Sequence, residues 1–356
     1  MSRAISACLL LFVLVYPAIA CCPAPPLGSW VINADQTVIM VWDPVAKLQH
    51  FVRKASFQSE ADDFGFLIPS PNKPELAESG NDAFDYLHQV TAPRIIHRPQ
   101  AQGGGCNLGC SHSLEKSAPT AEAPAVRVLE EKLVAGFNAS VLEADNTEVL
   151  VQWLKDNGYA FSPAVAEWAK PYVEQNWKIT ALKVAKQDDD KTNATVQASA
   201  LRLSFATEKP LFPYREPDYA KLAEGDEKHQ EKLAQQQRTL RIYFLSNARY
   251  QGDLTPDQPW TGKVTWAGLL PDHQRAELLT KLQLPADSGP KKFYLTEFED
   301  QWPYKVAPAD VYFAESAKQE DIRRPDVYVQ RDTGTDVGLI ALVMLACAPL
   351  LWRKWN

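Results

Sequence analysis

Thr37-Val38-Ile39-Met40-Val41-Trp42-Asp43-Pro44 opens a β-rich region that returns over residues 48–57 and continues as Phe64-Gly65-Phe66-Leu67-Ile68-Pro69-Ser70-Pro71. β-Branched and aromatic residues crowd both arms of the first pair, and Asp43-Pro44 supplies the turn chemistry between them. Residues 37–57 therefore predict an antiparallel hairpin. In the third stretch Phe64, Phe66 and Ile68 alternate with Gly65 and Leu67, so both faces are largely apolar. A strand with two apolar faces belongs between layers. Pro69 and Pro71 are expected to stop it.

Working outward, residues 82–90 predict a short helix with Phe84, Leu87 and His88 or Val90 at helical spacing, ended by Thr91-Ala92-Pro93. Residues 126–143 read as two short strands. Residues 147–157 give the clearest helix. Asp145 and Glu148 form its capping pair, Val149, Leu150, Trp153 and Leu154 its apolar face, and Gly158 its C-terminal cap. Ser162-Pro163 opens a second helix, which Pro171 is expected to kink or end. Residues 179–184 return to strand.

Leu201, Leu203 and Phe205 alternate with Arg202 and Ser204, and Leu240, Ile242 and Phe244 with Arg241 and Tyr243. Both read as half-buried antiparallel strands. Residues 218–237 between them are polar and solvated. Residues 271–284 suit an amphipathic helix and residues 292–298 another strand. No repeat of 20–50 residues appears, which excludes solenoids and propellers. The fold class is α+β, an antiparallel β-sheet-rich body with a few packed helices, plus one C-terminal transmembrane helix.

The two ends differ from the body. Arg3, the apolar run of residues 9–15 and Ala18-Ile19-Ala20 have the order of a secretory signal with cleavage after Ala20. Cys21 follows directly, as in bacterial lipoprotein signals, but Ala18 stands where those signals usually carry Leu. Lipidation of Cys21 is the alternative left open there. Residues 337–352 are apolar and uncharged and end in Trp352, with Arg353, Lys354 and Trp355 behind them. At about 1.5 Å per residue this run covers roughly 24 Å, slightly less than the hydrocarbon core. Snorkelling Arg353 and Lys354 and interfacial tryptophans suit a single membrane anchor with its basic tip in the cytoplasm. A cleaved sorting signal would look the same. The expected organisation is signal 1–20, extracytoplasmic body 21–314 as one unit or two subdomains parted near 98–125, polar stalk 315–336, anchor 337–352 and tip 353–356.

The chain has 356 residues, 37 basic and 44 acidic, with a net charge of −7. Nucleic acid is excluded as the main partner, because phosphate binding needs clustered Lys and Arg. Six cysteines occur, of which Cys21, Cys22, Cys106 and Cys110 fall in the body. In an oxidising compartment four cysteines suggest disulfides, with three connectivities open. A vicinal Cys21–Cys22 bond strains the backbone, which favours two long-range bridges to Cys106 and Cys110. Each would close a loop of about 85 residues, worth roughly 4–5 kcal/mol in the chain-entropy model.

No zinc-protease, nucleophile-elbow or phosphate-loop motif occurs, so no catalytic residue is assigned and no cofactor is expected. Gly103-Gly104-Gly105 lacks the strand and helix a dinucleotide fingerprint requires. Cys106, Cys110 and His112, with His97, share one loop and have the ligand types that suit zinc or copper, but an oxidised loop with a solvated histidine is the stronger reading. Asp62-Asp63 reads as a solvated turn, since adjacent carboxylates on a strand point to opposite faces. Trp260, Trp266 and Trp302 can stack on sugars, although buried tryptophans more often form core.

Several stretches together resemble one bacterial family of exported proteins, domain of unknown function 2330. They are Cys21-Cys22, the run from Asp62 to Pro71, Thr91-Ala92-Pro93, Trp153-Leu154 with Asn157-Gly158-Tyr159, and Leu211-Phe212-Pro213-Tyr214-Arg215. The resemblance covers roughly residues 21–330 and rests on the order of these short motifs. It implies a bacterial envelope protein with a signal peptide and often a C-terminal anchor, and it assigns no activity. The expectation is a membrane-anchored binding or structural module, with an envelope protein or glycan as the kind of partner. The alternatives are an exported hydrolase-like enzyme with a site assembled from distant residues, or a metal-binding protein using the Cys106/Cys110/His112 loop.

Overall fold

A short strand, β1 (Cys22–Ala24), precedes the expected hairpin, which forms as β2 (Gln36–Asp43) and β3 (Leu48–Arg53) with Met40 opposite Phe51. Asp43 closes the turn by accepting from the Val45 and Ala46 amides at 2.8 and 2.9 Å. These elements belong to a computed structural model that describes residues 22–24, 36–54, 65–97, 126–159, 163–184, 199–217, 237–255, 258–303 and 309–329.

The described residues divide into two units. The larger runs through Thr91 and resumes from Val126 to Arg323. Its biggest sheet has the order β15 (Lys263–Leu269), β16 (Tyr294–Pro303), β12 (Gln237–Ser246), β2, β3, β10 (Ala200–Ala206), β5 (Glu75–Ser79). All its pairs are antiparallel except β12 with β2. A five-stranded sheet has the order β1, β4 (Gly65–Ser70), β9 (Lys178–Val184), β8 (Phe137–Ala144), β7 (Val126–Val134). A third sheet joins β11 (Leu211–Phe212), β17 (Val311–Glu315), β13 (Tyr250–Thr255) and β14 (Gln258–Pro259).

The apolar runs become intelligible once the layers are in place. Val38, Met40 and Trp42 of β2 point into a core shared with Phe66 and Ile68 of β4, Phe137 of β8, and Phe313 of β17. Ile39 and Val41 point the other way, toward helices α1 (Asp82–Thr91) and α4 (Asp272–Lys281). On the far side of the smaller sheet, Leu67, Leu142 and Ile179 pack on α2 (Thr147–Asp156) and α3 (Pro163–Glu174). The larger unit is thus layered helix, sheet, sheet, helix. Both sheets are apolar on two faces because both are covered twice. β4 has the buried central place its pattern requires, with all six residues inaccessible.

Four local expectations are corrected. Pro69 does not stop β4; it pairs with Ile179, while β1 reaches only Leu67, so no neighbour on that side needs its missing N–H. The cap of α2 is Asn146, not Asp145 with Glu148. Asn146 has extended backbone (φ −155°) and accepts from the Val149 amide at 2.9 Å. Pro171 does not end α3, which runs on to Glu174 because buried Tyr172 and Val173 hold its last turn in the core. The strands β10 and β12 are not half-solvated: Arg202 is 9% and Tyr243 1% exposed, because α1 and α4 cover that face. Gly158 does cap α2, at φ +70°, with Gly158 and Tyr159 amides donating to Lys155 and Leu154 carbonyls.

Ser316, Gln319 and Ile322, early in the stretch read as a stalk, bond to the body. The Ile322 and Ala267 backbones exchange two 2.9 Å bonds, and Arg323 lies 4.2 Å over the Trp266 ring. The smaller unit, described over 92–97 and 324–329, holds a parallel pair, β6 (Ile95–His97) with β18 (Val327–Val329). Among the described residues no helix is long and apolar enough to cross a membrane. Residues 1–20, 98–125, 218–236 and 337–352 lie outside the described residues.

Candidate functional site

The stretch Leu211-Phe212-Pro213-Tyr214-Arg215 is fastened residue by residue. Leu211 exchanges two buried hydrogen bonds with the Gln49 amide, 2.8 and 2.9 Å, and pairs with Tyr312 as part of β11. Pro213 ends the strand, and Tyr214 turns inward to donate to Asp300 Oδ2 at 2.8 Å. Trp260 Nε1 donates to the same oxygen at 3.1 Å, and Thr261 Oγ1 donates to Oδ1 at 2.8 Å. Arg215 donates its backbone N–H to Asp310 Oδ1 at 3.1 Å, and its carbonyl accepts from Trp168 Nε1 at 2.9 Å. Tyr172 of α3 completes the second centre with a 2.9 Å bond to Asp310 Oδ1.

Burial decides what this network can do. Asp300 is 1% and Asp310 7% exposed. Desolvation holds the Asp310 carboxyl above its ordinary range despite bonds from Arg215 and Tyr172. Burial and a facing carboxylate likewise push Tyr172 and Tyr214 well above the usual phenol range. Both tyrosines are therefore fixed donors. The pair of aspartates joins the third sheet to α3 and to the large sheet, and acts as a clamp rather than an exposed acid and base.

A second group lies on the helix-covered face of the large sheet. β3 and β10 set His50 directly opposite Ser204, with His50 Nδ1 2.8 Å from Ser204 Oγ. Burial, reinforced by Arg202, lowers the imidazole to about 4, so it is neutral at pH 7. Arg202 donates through Nη1 to the carbonyls of Leu282 and Gln283, at 2.9 and 2.8 Å, at the C-terminal end of α4. A hydroxyl held by a neutral imidazole has the contact needed for an activated nucleophile. Ser204 sits mid-strand, however, and Glu75 pairs with it from the other side.

Of the residues expected to carry chemistry, Trp260 belongs to the Asp300 centre. Cys21, Cys106, Cys110 and His112, and Asp62-Asp63, lie outside the described residues; of Cys22 and His97 only the backbone is described, in β1 and β6. Among the described residues no three of His, Cys, Asp and Glu converge to hold a metal. Trp260 and Trp266 are core residues, 7% and 6% exposed. The two aspartates and the His50–Ser204 pair were missed because nothing local marks them; their partners come from strands, loops and a helix far apart along the chain. The motif ending in Tyr214-Arg215 pointed at the right place, and Trp260, read for sugar stacking, lies there as a core donor instead.

A family model described as an uncharacterised protein conserved in bacteria (DUF2330) matches residues 16–313. No curated protein and no solved structure matches the chain.

Proposed function

The chain belongs to the DUF2330 family of uncharacterised bacterial proteins, and from that premise we propose that it is an exported, membrane-anchored envelope protein whose body serves as a binding or structural module. The observation that carries this is the position of β1. The small-x-small site ends at Ala20, and Cys22 already pairs with Leu67 in the sheet. A strand of the five-stranded sheet thus lies two residues after the site at which a signal peptide would be removed, which supports the reading. The apolar run 337–352 with Arg353 and Lys354 behind it supplies the matching anchor. The buried carboxylates support a module rather than an enzyme, since they are spent on tying layers together.

Protease added to intact spheroplasts tests the reading. The body is digested and the tip survives; a protected body overturns it. Deleting residues 337–356 releases the protein in soluble form. The proposal includes disulfides among Cys21, Cys22, Cys106 and Cys110. Non-reducing peptide maps then show no free thiol among the four, whereas free Cys106 and Cys110 with stoichiometric zinc favour the metal alternative.

One observation favours a second reading, an exported hydrolase: the 2.8 Å His50–Ser204 contact. A fluorophosphonate probe would label the wild type and not Ser204→Ala. Absence of labelling on both removes this reading.

A further inference from the structure

The smaller unit exposes apolar side chains that its two strands cannot cover. β6 and β18 pair in parallel with Ile95 opposite Val327 and Ile96 opposite Tyr328. Paired residues share a face, so each face of the ribbon carries one apolar pair. Their exposures are 59% and 45% on one face, and 37% and 72% on the other. Two strands of three residues bury nothing by themselves, and exposed apolar groups gathered in one place mark a contact surface.

The charge around the ribbon identifies what it meets. Within three residues of either strand lie Arg94, Arg98, Arg324 and Arg331, against Asp326 and Asp332. The ribbon is therefore locally basic in a chain whose net charge is −7. Apolar groups with arginines beside them in sequence, and a tyrosine among them, have the composition of a surface lying in the headgroup layer of an anionic bilayer. Only seven residues separate Val329 from Val337, where the apolar run begins. At full extension the eight steps from Val329 to Val337 reach roughly 28 Å, which keeps the ribbon near the interface if the run is embedded.

We propose that the β6–β18 ribbon docks on anionic lipid at the membrane surface. The proposal deepens the anchored-envelope reading and rests on it for the ribbon's proximity to the bilayer. Docking is shallow, because the outer edges of a two-stranded ribbon carry backbone groups that need water or headgroups.

Hydroxyl-radical footprinting of the full chain tests this, with Tyr328 as the reporter and Tyr312 as the control. The chain is mixed with vesicles of phosphatidylcholine alone or with 30% phosphatidylglycerol, and flotation is scored separately. Tyr328 labelling is expected to fall at least threefold with phosphatidylglycerol while Tyr312 is unchanged, and Arg94→Glu with Arg324→Glu abolishes the fall. Equal Tyr328 labelling with both vesicles overturns the proposal. So does protection that needs no lipid and grows with protein concentration, which would mean pairing with a second copy. The anchored reading fails independently: a chain that does not float on neutral vesicles has no anchor, yet still shows the phosphatidylglycerol-dependent loss at Tyr328 if the ribbon binds lipid.

Discussion

Tyr214 donates its phenolic hydrogen to Asp300 at 2.8 Å across 86 residues of chain, and the bond fastens the end of one sheet to the interior of another. Asp300 takes two further donors, so the three bonds are unequal in consequence. Tyr214→Phe removes one and is expected to cost about 1.5–3 kcal/mol, as for a hydrogen bond to a charged group. Asp300→Ala strands two buried donors, Tyr214 and Trp260, and also frees the exposed Thr261 hydroxyl, and is expected to cost more than about 3 kcal/mol. Urea unfolding of both variants checks the order; a smaller loss for Asp300→Ala would mean the carboxylate does not hold the network.

Phe66 is 2% exposed and meets Phe137 edge-on at 5.4 Å, with the Arg53 guanidinium 5.1 Å from its ring. Phe66→Ala is expected to cost about 3–5 kcal/mol, the range for a large aromatic removed from a packed core. A loss under about 1 kcal/mol in the same denaturation assay would contradict its place between the sheets.

His50 makes stability depend on pH in a defined window. Its folded pKa, about 4, lies below the unfolded value near 6.5. The unfolded chain therefore binds a proton first as pH falls. The stabilisation is complete above pH 6.5 and is lost progressively between pH 6.5 and 4, amounting to roughly 2–3 kcal/mol. His50→Gln should flatten the unfolding midpoint across that window relative to wild type. Parallel profiles for the two proteins would refute the assignment.

Asn146 and Asp145 are adjacent and both can cap, but only Asn146 accepts from the Val149 amide. Asn146→Ala is expected to cost about 1 kcal/mol and Asp145→Ala less than about 0.5. Thermal melts of the pair distinguish them, and equal losses would return the cap to Asp145.

These residues show which parts of the fold can be read from sequence. The α2 helix, its Gly158 cap and the presence of two strands over residues 126–143 follow from spacing within a dozen residues. Ala135 and Gly136, at φ 52° and 80°, make the tight hairpin turn that joins those strands. Where neighbours in space decide, the local reading fails. Pro69 is tolerated only because β1 stops at Leu67, and Pro171 only because the core holds the turn beyond it. Arg202 looked like a solvent-facing residue, yet it is buried against the end of a helix some 80 residues later. The parallel contact of β12 with β2, and both aspartate centres, unite residues that no window along the chain contains together.

That parallel contact governs when the molecule can form. The hairpin of β2 and β3 has β12 on one flank and β10 on the other, so its outer edges stay unpaired until residues 200–206 and 240–245 are available. Until then a ribbon apolar on both faces, carrying Val38 to Trp42, has no lid and two open edges, the condition in which strands join to the wrong neighbour. Closing loops of this length before any reward slows assembly. A chain made from its N-terminus exposes this hairpin early and completes it late. The time for which β2 and β3 wait for these partners, rather than any step within the hairpin, is therefore expected to limit refolding after dilution from denaturant.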